Sequence, residues 1–230
     1  MFSTLRAWRA RRQNEARRYR EAAEAGDSNA MLNLGGILWE RGDTAGAERW
    51  YRRAAAVGHQ SAMSNLSVIL RKRGEAVEAE QWLRRAVARP GLSQRLALNN
   101  LGVLVRDQGD PVEAEWCFRQ AAEGRNGDLS AKVNLGQLLA ARGDLQEAEH
   151  WFREAVEWPV PYAMIALGRF LLDRGDPAEA EPWFRQAAQF GHPDAMRDLA
   201  ALLERRGDSA EAEQWNRRAR KAQRHARRRH

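Results

Sequence analysis

The chain has 230 residues, 43% of them apolar, a single cysteine and a formal net charge of +7. That apolar fraction excludes a disordered chain, and the lone Cys117 excludes an intramolecular disulfide or a cysteine metal cage. No apolar run is long enough for a membrane-spanning helix.

The charge is uneven. Residues 1–20 hold seven Arg and one Glu, residues 214–230 hold eight basic residues and no acid, and the body between them sums to −7. The N-terminus, residues 1–27, is basic and lacks the apolar core of a signal peptide, so a cytoplasmic location is expected. Within it, residues 3–25 read as a helix with Tyr19, Arg20, Ala22 and Gly26 in register with the second helix of the repeats that follow.

From residue 28 onward the sequence repeats. One glycine recurs as Gly42, Gly74, Gly109, Gly143, Gly175 and Gly207. Eight positions earlier stands Leu34, Leu66, Leu101, Leu135, Leu167 and Leu199, and five later Ala47, Ala79, Ala114, Ala148, Ala180 and Ala212. A Glu follows six after the glycine, an Arg ten after, and a Trp eight after except in the third copy, where Cys117 takes that place beside Trp116. The segments are 28–59, 60–94, 95–128, 129–160, 161–192 and 193–213 onward, and 214–230 is the basic end of the last helix and tail.

Each segment predicts two helices, A and B, around a short turn. Ile and Thr are scarce, and Ala, Leu, Glu, Arg and Gln dominate, which favours helix over strand. Helix A of the first copy spans about Ser28 to Arg41, and Arg then Gly supplies its stop signal. Asp43, Glu75, Asp110, Asp144, Asp176 or Asp208 comes next as the expected N-cap of helix B. Glu113, Glu147, Glu179 and Glu211 complete a capping-box pattern. Glu48–Arg52 and Glu149–Arg153 are i,i+4 pairs along helix B. The aromatics Trp50–Tyr51, Phe118, Trp151–Phe152 and Trp183–Phe184 are expected to fill the core against small residues such as Gly35, Gly102, Gly136 and Gly168. Arg89-Pro90-Gly91-Leu92-Ser93 lengthens one connection, and Pro182 predicts a kink in helix B of the fifth copy. Polar Asn216 and Arg220 suit the last helix to cap the stack.

Leu34, Gly35, Gly42, Ala47, Tyr51 and Ala54 together resemble the tetratricopeptide repeat. The connection from Ala54 to Ala62 looks more like the related Sel1-like repeat. The resemblance covers about residues 28–220 and implies an all-α fold: a right-handed α-solenoid of about six helix-turn-helix repeats plus an N-terminal helix. It also implies that helix A lines the concave surface, and that in some members asparagines there hold the main chain of an extended peptide.

In this chain that register position carries Asn33, Asn65, Asn100 and Asn134, then Ala166 and Asp198. Asn is a mediocre helix former, so four copies on one helix face need a reason. An amide both donates and accepts, which suits it to a peptide unit or to a neighbouring helix or loop. On the same face lie Val68, Lys72, Val103, Gln137 and Arg169, and the peptide-binding groove is expected from these nine residues.

No catalytic constellation and no metal site emerge, and no cofactor is implied. His59 and His192 share an inter-repeat position, which points to a turn role, and the Arg-Gly-Asp triplets fall in the A–B turns. The expected function is a non-catalytic scaffold binding a protein or peptide partner. The alternative is nucleic-acid or acidic-surface binding through the Arg-rich termini. The chain is expected to be a monomer or an end-to-end homo-oligomer. Its Arg-over-Lys bias suggests a GC-rich, bacterial coding genome.

Overall fold

A computed structural model describes residues 14–91, 93–124 and 127–227, with side chains as far as Arg224. The expectations for residues 3–13, for Leu92 and for the last residues of the basic tail lie outside the described residues. Helix α1 covers residues 14–24. Then follow α2 (Ser28–Glu40), α3 (Thr44–Ala56), α4 (Gln60–Arg73), α5 (Ala76–Val87), α6 (Gln94–Asp107) and α7 (Pro111–Ala122). After these come α8 (Leu129–Arg142), α9 (Leu145–Ala155), α10 (Pro161–Asp173), α11 (Pro177–Gln189), α12 (Pro193–Arg206) and α13 (Ser209–Arg227). There is no strand among the described residues. The chain is an all-α helical-repeat solenoid, with α2, α4, α6, α8, α10 and α12 as helices A. It divides into two compact units, the first ending at Cys117 and the second beginning at Phe118, inside α7.

The A–B turn is built as its sequence requires. Gly74 and Gly207 close α4 and α12 at φ of 86° and 94°, a left-handed conformation that favours glycine. The next residue donates its backbone N–H back into the helix, as in Asp43 to the Leu38 carbonyl at 2.9 Å and Asp208 to Leu203 at 3.0 Å. These bonds satisfy carbonyls that a helix end would otherwise orphan.

The capping expectation holds only in part. Asp43 accepts from the Gly46 N–H at 2.8 Å, and Asp110 accepts from Val112 and Glu113. Asp144 and Asp176 make no side-chain cap. Each instead pairs with the Arg two residues earlier, as Asp208 does with Arg206. A charge-assisted bond to guanidinium outcompetes a neutral backbone N–H. The Glu of the supposed capping box also turns elsewhere, reaching back to the preceding helix B. Arg84–Glu113 (2.8 Å), Arg119–Glu147 (2.6 Å) and Arg185–Glu211 (2.6 Å) recur at one register position, joined by Arg52–Glu78 and Arg153–Glu179.

A second tier completes this network. The helix-B Arg also holds its own Glu one turn back, as in Arg52–Glu48 and Arg185–Glu181. That Glu receives the Arg that precedes the next turn glycine: Arg73 on Glu48 (2.8 Å), Arg174 on Glu149, Arg206 on Glu181 (2.6 Å). Burial alone would raise the Glu48 carboxyl, but Arg73 and Arg52 hold it below the usual range. Arg52 holds Glu78 down at about 2, and Arg185 does the same for Glu211.

Beneath the charges, helix A lies close against helix B of the same pair. A Cβ added at Gly35 would sit 2.5 Å from Tyr51, one at Gly136 3.0 Å from Phe152, and one at Gly168 2.7 Å from Phe184. Phe118, Phe152 and Phe184 are fully buried. The tryptophans are not the core that the sequence suggested. Trp50, Trp82, Trp151, Trp183 and Trp215 are half-buried. The indole N–H of Trp82, Trp151 and Trp215 donates to the Glu four residues earlier. An indole donor needs a partner, so the ring stays at the rim. In the third copy the exchange is complete: Cys117 is buried and Trp116 is exposed.

Three irregularities resolve simply. α11 runs through Pro182 without interruption. The carbonyl that loses its partner belongs to exposed Ala178, where water can replace the bond. The longer connection lies between the end of α5 at Val87 and the start of α6 at Gln94. On α13, Arg220 is exposed where earlier copies carry apolar residues, which suits a terminal face.

Two outcomes follow. Gly168→Val drives a branched side chain into Phe184 and should lower stability by about 1–3 kcal/mol in urea unfolding. Adding Phe184→Leu should restore part of the loss. Glu78 and Glu211 are depressed from an ordinary 4.5 to about 2. Their stabilisation is therefore complete above the unfolded value and disappears as pH falls through the folded one. The urea midpoint should fall between about pH 4.5 and 2, and more shallowly in the double variant Arg52→Gln, Arg185→Gln.

Candidate functional site

The exposed faces of helices A carry the expected site residues, and each unit presents its own set. In the first unit Asn33, Asn65 and Asn100 occupy equivalent positions on α2, α4 and α6. Asn33 is exposed, and Asn65 and Asn100 are half-buried. The Asn65 amide hydrogen-bonds the Tyr51 hydroxyl, whose pKa is raised by burial against the opposing pull of that bond. Val68, Asn100 and Val103 line a small cavity of about 90 Å³ with Ser67, Arg71 and Leu83. The Lys72 ammonium sits 4.6 Å from the centre of the Trp39 ring, a cation–π contact that fixes its direction. Arg71 reaches Asp107 at 2.9 Å.

In the second unit Asn134 is half-buried and has an interaction of its own within the chain. Gln137 and Arg169 line a larger cleft of about 520 Å³ between α8 and α10. Its floor is Phe152, Ile165 and Phe170, with Leu145 and Tyr162 at the margin. Ala166 replaces asparagine there and leaves room. Arg169 crosses to Asp198 at 2.7 Å, so the two residues where the asparagine series ends are tied to each other's neighbourhood.

The sequence reading missed Tyr162, Ile165 and Phe170. One signal was available. Tyr162 stands where other copies carry Asn29, Ser61, Leu96, Ser130 and Asp194, so an aromatic there departs from a mostly polar column.

His59, His192, Cys117 and Lys132 each have a local structural setting. The His59 Nε2 meets the Asn29 Oδ1 at 3.1 Å, and the His192 Nδ1 accepts from the Asp194 N–H at 3.3 Å, both at helix starts. Burial pushes the Cys117 thiol up to about 12, which keeps it protonated and unreactive. Lys132 is buried and bonds Glu154 at 3.1 Å. Among the described residues no group of three His, Cys, Asp or Glu is placed to hold a metal ion. No helix among them is long and apolar enough to cross a membrane.

Family models described as tetratricopeptide repeat match residues 28–61 and 59–89, residues 99–160, and residues 161–186 and 193–218. A comparison with curated proteins finds no match. Among solved structures, PilF of Pseudomonas aeruginosa superposes with a TM-score of 0.65 at 20% identity, covering 82% of this chain and 88% of that one. A tetratricopeptide repeat protein from Parabacteroides merdae gives 0.64 at 16% identity, covering 90% and 85%. A chain of the APC/C hetero-tetramer Cut9–Hcn1 gives 0.70 at 14% identity, covering 92% of this chain and 43% of its own length. At such identities these likenesses concern the fold alone. The repeat columns, the helix pairs they form and the matched segments together assign the chain to the tetratricopeptide repeat family.

Proposed function

We propose that this chain is a non-catalytic scaffold that holds a segment of a partner protein against the exposed faces of its helices A. Tetratricopeptide repeats generally mediate protein–protein interaction. The observation that carries the finer reading is the cleft between α8 and α10, an apolar floor with a polar rim that includes Gln137 and Arg169. Ligand sites combine those two features: apolar burial for affinity and a few polar groups for orientation. In the first unit Asn33, Asn65 and Asn100 offer amides in series, and the Tyr51 hydroxyl fixes the Asn65 amide while leaving it further hydrogen-bonding capacity. Asn134 holds the same repeat position in the second unit, and Val68, Lys72 and Val103 serve as side-chain contacts in the first.

A second reading has its own observation. On α13, Arg217, Arg220, Lys221 and Arg224 are exposed at helical spacing. Arg220, Lys221 and Arg224 have no acidic partner among the described residues. Such a stripe suits a polyanion, and its binding would weaken steeply with salt.

The deciding experiment is calorimetry with a purified partner segment, first identified by affinity capture. The double variant Asn65→Ala, Asn100→Ala should weaken binding by about tenfold, the loss of two net hydrogen bonds, with helical content unchanged. Unaltered affinity in both this variant and Gln137→Ala would overturn the reading. Salt-sensitive RNA or DNA binding lost on Arg220→Glu, Arg224→Glu would establish the second one.

A further inference from the structure

The cleft of the second unit also constrains what can occupy it, and the inference rests on the protein-binding reading above. Three charged side chains line it: Arg169, Asp173 and Arg174. Both arginines are already engaged. Arg169 pairs with Asp198, and Arg174 with Glu149 and Asp176. Asp173 is exposed and has no ion-pair partner among the described residues. The unspent charge of the cleft is therefore a carboxylate.

Helix geometry strengthens the same end. Asp173 is the last residue of α10, whose final turn contains no basic residue. Carbonyl oxygens at a helix C-terminus carry partial negative charge, so a carboxylate there has no favourable partner and a cation is welcome. Beside this negative rim is the apolar hollow over Ile165 and Phe170, widened by Ala141 and Ala166.

We infer that the cleft selects a protein segment with a bulky apolar side chain flanked by Lys or Arg. The apolar side chain fills the hollow against Ile165 and Phe170, and the cation pairs with Asp173. An acidic flank meets the Asp173 carboxylate and the C-terminal end of α10 with like charge and is rejected. Selectivity between the two thus comes from electrostatic complementarity, and affinity from the apolar anchor.

The test uses the full chain and fluorescein-labelled peptides with a central Trp, flanked by Arg, Gln or Glu and otherwise Gly and Ser. Binding is read by fluorescence anisotropy. The Arg-flanked peptide should bind about tenfold tighter than the Glu-flanked one, since attraction is replaced by repulsion at one charge. Asp173→Lys should invert that order. Ala141→Trp, at an exposed position on the cleft wall, should abolish binding of every peptide, and Gln137→Trp serves as the second blocking variant. Circular dichroism should be unchanged for all three. If Arg- and Glu-flanked peptides bound equally, yet Ala141→Trp still blocked them, this inference would fall and the peptide-binding reading would stand. If no peptide responded to either blocking variant, the protein-binding reading of the cleft would fall as well. Concentration-dependent association of the chain itself that Ala141→Trp abolished would make a second copy the occupant, which also overturns it.

Discussion

The close approach of helix A to helix B within a pair is the constraint from which the rest of the structure follows. Helices α2 to α12 are 11 to 14 residues long, too short to be stable alone. Stability must come from packing, and packing at this distance requires a residue without a side chain opposite one with a large ring. Gly35 against Tyr51, Gly136 against Phe152 and Gly168 against Phe184 meet that requirement. Where Ser67 replaces glycine, Leu83 replaces the ring. The ring size and the gap change together, as close-packed interiors demand.

Packing alone would leave helices free to slide along one another, and the ion network opposes that. Arg52, Arg84, Arg153 and Arg185 each grip a Glu on their own helix and one on the next helix B, so a shift of one helix along the other breaks the inter-helix contact. The pairs are partly exposed, and each alone contributes little. Their value lies in repetition at fixed register, with the tryptophan N–H on Glu78, Glu147 and Glu211 orienting one partner in advance. The network also consumes most of the charge of the body. Side chains left over, such as Asp173, are for that reason informative about partners.

The fold was legible because repetition multiplies a weak signal. One Leu, one Ala and one Gly mean little, but the same residues in register across the copies define two helices and a turn. The site was less legible, for physical reasons. Register tells which face Asn65 occupies, not that Tyr51 engages it. Tyr51 carries the one hydroxyl in a column otherwise filled by Leu83, Phe118, Phe152, Phe184 and Asn216, so the contact could have been suspected. The capping boxes failed because a local pattern was read locally. Glu113, Glu147 and Glu211 have a guanidinium within reach on another helix, which no spacing along one helix reveals. The 520 Å³ cleft depends on Ala141 and Ala166 being small together with Tyr162 being large, a conjunction across two helices.

The same network gives a chemical account of a compositional feature. Only Lys72, Lys132 and Lys221 stand against a large excess of Arg. Codon usage is one source of such a bias, but the geometry supplies another. Arg73 bonds Glu48 and Glu75, Arg185 bonds Glu181 and Glu211, and Arg206 bonds Glu181 and Asp208. Each spans two acids at once, on different helices or across a turn. A guanidinium has five donors in a planar fork and can bridge in this way; an ammonium is a compact point charge that holds one acid well and the second poorly. The lysines occupy other niches. Lys72 lies over the Trp39 ring, and Lys132 is buried against a single Glu154. Within the solenoid body, then, Arg is required wherever one cation must serve two carboxylates. Among the described residues that demand is absent near the end of α13, where Arg220 and Arg224 have no acids to bridge. The arginine bias of the body therefore has a structural source, which Arg220 and Arg224 do not share.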